Sequence, residues 1–137
     1  KDFPSAEKEF LEFIAFDSFN WAGYNDLAWI YFAQGYYFDA EGTAREGLIH
    51  AADNPWLHNA VGVSLLAQKR GADAIEHFEK AKEGFIRMSP DTWGIAYPGN
   101  SPYEHAKGLE ASLGAVERNL ERARALSVEN PRRQTEE

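Results

Sequence analysis

The stretch "AVGVSLLAQKRGADAIEHFEKA", Ala60 to Ala81, carries small residues at Gly62, Ala74 and Ala81, a large one at Phe78, and a break around "QKRGADA". Helical spacing on both sides of the break predicts two helices joined by a short turn. The same arrangement stands 34 residues earlier: Leu27 precedes Val61, Ala28 precedes Gly62, Ala40 precedes Ala74, and Gly47 precedes Ala81. Polar residues keep the register too, with Asn20 and Asn54, Asn25 and Asn59, and Gln34 and Gln68. Two antiparallel helices approach to about 8–10 Å only where the facing side chains are small, which gives the recurring Ala and Gly a physical cause. Asn20 and Asn54 are placed to cap the first helix of each unit, Pro55 suits a first helical position, and Gly35 and Gly71 are placed to supply the turns.

A helix-turn-helix unit of this period resembles the tetratricopeptide repeat. Gly62, Ala74, Phe78 and Ala81 stand at that family's small, small, aromatic and small positions; in the earlier unit Leu27, Ala28, Tyr31, Ala40 and Gly47 match, whereas Ala44 replaces the aromatic. The register also reaches backwards, because Ala6, Phe10 and Phe13 precede Ala40, Ala44 and Gly47 by 34 residues, so "SAEKEFLEFIAFDSF" reads as the second helix of a preceding unit. The resemblance implies an all-α fold: a right-handed array of helical hairpins, an α-solenoid of two full repeats behind a half-repeat.

Carried forward, the register puts Ile95 and Ala96 under Leu27 and Ala28, and Gly108 and Ala115 under Ala74 and Ala81. "SPDTWGIAYPGNSP", residues 89–102, then reads as the first helix of a third unit, capped by Ser89 and cut short at Pro98-Gly99. A restart at Ser101 as N-cap, with Pro102 at the first position and Glu104 completing a capping box, leads into one long amphipathic helix. Its apolar stripe is Ala106, Leu109, Leu113, Val116, Leu120 and Ala123, and its charged face Glu110, Glu117, Arg118, Glu121 and Arg122. Such a helix closes an array, one side on the preceding unit and the other in water. Residues 1–127 are expected to form one domain and 128–137 a disordered tail.

In the family the first helices of successive units line a concave groove for an extended peptide or a partner helix. Transferred by register, one inward column is Asn25, Asn59 and Trp93 and a second is Trp29, Val63 and Tyr97, with Phe32, Leu66 and Trp56 alongside. Asn offers an acceptor and a donor to a peptide backbone, and Trp and Tyr supply stiff apolar surface. Trp93 and Tyr97 have two readings, as pockets for a partner or as a cover over the end of the second unit. The Lys and Arg clamp that some members use for a terminal carboxylate is absent from 21–35 and 55–68.

Charge separates further functions. The 137 residues carry a formal net charge of -8, with ten Asp/Glu against three Lys/Arg in residues 1–60. Nucleic acid, which needs a basic stripe, is disfavoured; the acidity of residues 1–60 reads first as a solvated face that keeps the protein soluble, and second as a mild attraction for a neutral or basic partner. Without cysteine there is no thiolate metal site, and His50, His58, His77 and His105 lack the three- or four-residue spacing of a helical ligand pair. Glu9/Glu12 and Glu79/Glu83 share helix faces as solvated charge. The expectation is a non-catalytic adaptor without cofactor or metal, binding a protein or peptide partner, with self-assembly and small-ligand or glycan binding as alternatives. No membrane-spanning run is present, and the compartment stays open between the cytoplasm and the soluble part of an anchored or exported protein.

Overall fold

The computed structural model describes residues 2–97 and 99–129. Seven α-helices and no strand occur among them: α1 (Phe3–Phe16), α2 (Trp21–Ala33), α3 (Tyr37–His50), α4 (Pro55–Ala67), α5 (Gly71–Arg87), α6 (Pro90–Ala96) and α7 (His105–Glu129), the last preceded by a 3-10 turn at Pro102–Glu104.

Local chemistry sets the boundaries. Asn20 Oδ1 accepts from the Ala22 N–H at 3.1 Å and Asn54 Oδ1 from the Leu57 N–H at 3.1 Å, so both asparagines cap as expected. Ser89 Oγ accepts from the Thr92 N–H at 3.1 Å ahead of Pro90. The turns are less uniform than the sequence suggests. Gly35 takes the left-handed conformation after α2, but Lys69, not Gly71, takes it after α4. Gly71 opens α5 instead, where an added Cβ would lie 2.7 Å from the Ala123 carbonyl oxygen.

Each helix from α1 to α5 packs against the next, and α2 also touches α4. The core runs through Leu57, Val61, Leu65, Ala74, Phe78 and Ala81, with Ala40 and Ala44 on α3 also sealed from solvent. At the α4/α5 crossing a Cβ on Gly62 would come within 2.6 Å of the Phe78 ring. A methyl group there would unseat the largest fully buried side chain. Gly47 is pressed in the same way by Leu57 and Tyr24, at 2.9 Å. Glu41, 7% exposed, ties α3 to the α4–α5 turn: its carboxylate meets Arg45 at 2.8 Å, Arg70 at 3.2 Å and Gln68 Nε2 at 3.0 Å.

The C-terminal part departs from the expected register. It is α7, not α6, that packs along α5 and touches α4, as α4 packs along α3 and touches α2. Val116, Leu120 and Ala123 are buried there, while Ala106 is exposed and the expected charged face is in water. The helix continues through Val128 and Glu129, two residues expected in the tail; the rest of that tail lies outside the described residues, as does Pro98.

Short α6 makes no close backbone approach to α5. Ile95, expected in the buried Leu27/Val61 column, is 87% exposed, and the buried residue of α6 is Trp93. Its indole lies against Gly108, where a Cβ would fall 2.1 Å from Trp93 Cζ2. Asn100 Nδ2 donates to the Trp93 carbonyl at 3.0 Å, and His105 Nε2 donates to the Met88 carbonyl at 2.8 Å. The segment is thus folded back and fastened at both ends.

His58 and His77, read from the sequence as unrelated, meet across the α4/α5 hairpin with Nδ1 atoms 3.1 Å apart. Because His58 Nε2 sits 2.7 Å from the Ala52 carbonyl it carries that proton, which leaves His58 Nδ1 to accept from His77 Nδ1–H. Burial lowers both imidazole values; for His77, burial first, then Arg45 of α3 and the facing imidazole together bring it to about 4. Asp53 and Glu76 act in the opposite direction on His58, and Lys80 in the same one as burial.

Two outcomes follow from this packing. Gly108→Ala should destabilise by about 1–3 kcal/mol in urea titrations and red-shift tryptophan emission, whereas Gly114→Ala, whose Cβ meets only the mobile Arg118 guanidinium at 3.3 Å, should be neutral or stabilising. The histidine pair takes up protons more readily in the unfolded chain, so its contribution to stability should be complete above about pH 6.5 and decline towards about pH 4. Melting temperatures across that window should fall less in His77→Asn, whose amide can still donate to His58.

Candidate functional site

Two aromatic groups, rather than one groove, gather the expected binding residues. Trp56 is the centre of the first. Its ring stacks on Trp21 (centroids 5.3 Å, 18° between planes) and packs against Phe85 at 5.2 Å, Trp93 at 5.6 Å and Tyr97 at 6.1 Å. Trp21 also meets Tyr97 edge-on at 5.2 Å. Trp29 and Phe32 belong elsewhere, towards the C-terminal end of α2, in a run with Tyr37. Half-buried Val63 packs against the core.

The two asparagines of one column also part company. Asn25 is buried, with its Nδ2 3.5 Å from Tyr97 Oη and its Oδ1 lacking any hydrogen-bond partner. Asn59 lies beside a small crevice of about 270 Å³ under α7, walled by Phe85, Ser112 and Val116, and its Oδ1 is likewise buried and unpaired. Trp93 is 7% exposed, with its indole between Gly108 and Trp56.

What stays open is a cleft of about 1020 Å³ between α1, the N-terminal half of α2 and the end of α6. Phe13, Phe19, Trp21, Ile95 and Tyr97 supply its apolar walls, and Glu9, Asp17 and Asp26 its charges; no Lys, Arg or His lines it. Small residues make room: a Cβ on Gly23 would meet Phe13 Cδ1 at 2.7 Å, so α1 lies close on α2 there. Phe19 is 78% exposed at one rim and Ile95 at the other.

Asp26 is the unusual group. Burial pushes its carboxyl up to about 6, and the Tyr97 hydroxyl donates to its Oδ1. Among the described residues no cation pairs with it. Sequence reasoning missed Asp26, Trp21 and Phe13. The concentration of acid in residues 1–60 was the available signal for the first, and the position of Trp21 directly after the Asn20 cap was the only pointer to the second.

Among the described residues no group of three or more His, Asp or Glu is arranged to hold a metal. No helix of the described residues is long and apolar enough to cross a membrane. Compared with known proteins, the sequence matches no family model and no curated relative.

A carboxyl raised in the folded state favours folding below its unfolded value of about 3.8 and loses that contribution as pH rises through about 6. Asp26→Asn keeps an acceptor for Tyr97 and removes the charge. It should therefore raise the melting temperature at about pH 7.5, with the advantage shrinking towards about pH 4.

Proposed function

We propose that this chain is a tetratricopeptide-like hairpin-repeat domain that acts as a non-catalytic protein-interaction module, and that it takes a segment of its partner in the cleft between α1 and α6. The observation that carries this reading is the cleft itself: a concavity of about 1020 Å³ with aromatic walls, set over the first helix of the first hairpin. Ligand sites combine such apolar concavity with a few placed polar groups, and exposed aromatics beside a desolvated polar group are the usual anchors of protein interfaces.

The repeat reading is supported by the shared 34-residue register of α2–α3 and α4–α5, and by small residues at their crossings. The position of α7 on α5 fits a closing helix. Segment 89–104 fits the same scheme as an internal occupant of part of the inner face, leaving only the α1 end for a partner. Exposed Phe16, Phe19 and Ile95 would also suit a second copy of the chain, but three carboxylates in the cleft and a net charge of -8 oppose it.

Peptide display on the whole chain tests the proposal. Sequences enriched by the native protein should be lost with Trp21→Ala and retained with Ile49→Ala, a change on the 79% exposed far surface of α3. Equal enrichment by native protein and Trp21→Ala, with both folded by circular dichroism, would overturn it. A mass in light scattering that doubles with concentration and reverts with Trp21→Ala would replace the peptide by a second copy.

A further inference from the structure

The cleft holds more acceptors than donors. Tyr97 has one proton and gives it to Asp26 Oδ1. Behind Tyr97 and outside the lining itself, buried Asn25 directs its amide at Tyr97 Oη over a long 3.5 Å, and its own Oδ1, in a residue only 4% exposed, has no donor. Glu9 and Asp17 add two more carboxylates to the lining, and none of the three forms an ion pair with a described residue. A buried or half-buried acceptor without a donor is costly, and a carboxylate without a cation more so. What the cleft lacks is a group rich in N–H donors and positive in charge.

Resting on the reading of the cleft as a partner site, we infer that it receives a lysine or arginine side chain of the partner segment. The cationic head sits at the Asp26 carboxylate and the aliphatic stem lies along Trp21 and Phe13. Three features make this ligand fit better than a neutral apolar one. The walls are aromatic, and an ammonium or guanidinium is attracted to an aromatic ring while its stem covers apolar surface. Asp26 is half-buried in a recess that no cation among the described residues lines, and there a single opposite charge counts for more than on open surface. The negative field of residues 1–60 also draws a basic segment towards this end of the molecule. Arginine matches the site best, since its fork can bind a carboxylate with two parallel hydrogen bonds.

The titratable groups that line the cleft with Asp26 are Glu9 of α1, Asp17 of the following turn and Tyr97 beyond α6. With the Asp26 carboxyl pushed up to about 6, a cationic ligand should bind more tightly at about pH 7.5 than at about pH 5.

The test uses blocked hexapeptides that alternate leucine with arginine, lysine, norleucine or glutamate, titrated against the whole chain by calorimetry and tryptophan emission. The arginine and lysine peptides should bind and the glutamate peptide should not. Asp26→Asn, which keeps the Tyr97 contact, should weaken arginine-peptide binding about tenfold or more, and Glu9→Gln about two- to threefold. Raising salt from about 0.05 to about 0.3 M should weaken it further. Norleucine peptides that bind as well as arginine peptides, or Asp26→Asn with unchanged affinity, would overturn the inference. Display peptides that need Trp21 yet carry no basic residue would overturn it while leaving the interaction module standing; a loss of Trp21 dependence removes both.

Discussion

Close approach of helix backbones at a few small residues is the constraint on which the rest of the molecule depends. Gly62 against Phe78, Gly47 against Leu57 and Tyr24, and Gly23 against Phe13 each leave no space for a methyl group. With Ala40, Ala44, Ala74 and Ala81 fully buried between them, α2 to α5 come near enough for Phe78, Leu57 and Leu65 to fill the core without voids. The same approaches orient α2 and α4, and so bring Trp21 and Trp56 into a stack although 34 other residues separate their crossings in sequence. The site is a by-product of that stacking rather than a separate construction.

Helix α6 and Tyr97 then decide where the cleft lies. A seven-residue helix cannot hold itself by backbone hydrogen bonds alone, so it must be fixed by side chains. Trp93 does this by lying over Gly108 and against Trp56, and Tyr97 by reaching Trp21 and Asp26. Aromatic contacts of this kind are worth about 0.5–1.5 kcal/mol each beyond the area they bury, enough together to hold a short segment in place. Their position sets one wall of the cleft, which runs from Gly94 to Tyr97 opposite α1.

Much of this was legible in the sequence, and the parts that were not share a cause. Caps at Asn20, Asn54 and Ser89 are local events, and periodicity reports reliably which face of a helix is buried, so α2 to α5 lie where the register puts them. Periodicity does not report which helix buries that face. Gly108 reads equally well as a crossing point of a third hairpin or as a seat for an indole, and only the structure separates the two. The meeting of His58 with His77 was hidden for a related reason, because a search for ligand or pair spacing within one helix cannot see residues brought together across a turn. Of the expected site, Tyr97 lines the cleft and touches Trp56 and Asn25 behind it, whereas Asn59, Trp29, Phe32, Val63 and Trp93 are not in its lining.

Two carboxylates withdrawn from solvent show what distinguishes the cleft from the rest of the fold. Burial pushes Glu41 upward, but hydrogen bonds from Gln68 and Arg45 and the charges of Arg45 and Arg70 outweigh it and leave its carboxyl below the ordinary range. That charge is answered inside the molecule, as a structural charge should be. Asp26 has burial without such an answer: a tyrosine hydroxyl is its donor, and the neighbouring asparagine carries an acceptor with nothing to accept from. A sequence selected only for stability would place an arginine opposite Asp26 or replace it by a neutral residue. An unanswered charge on the wall of an open cleft, among aromatic side chains, is the arrangement expected if the compensating cation arrives with a partner.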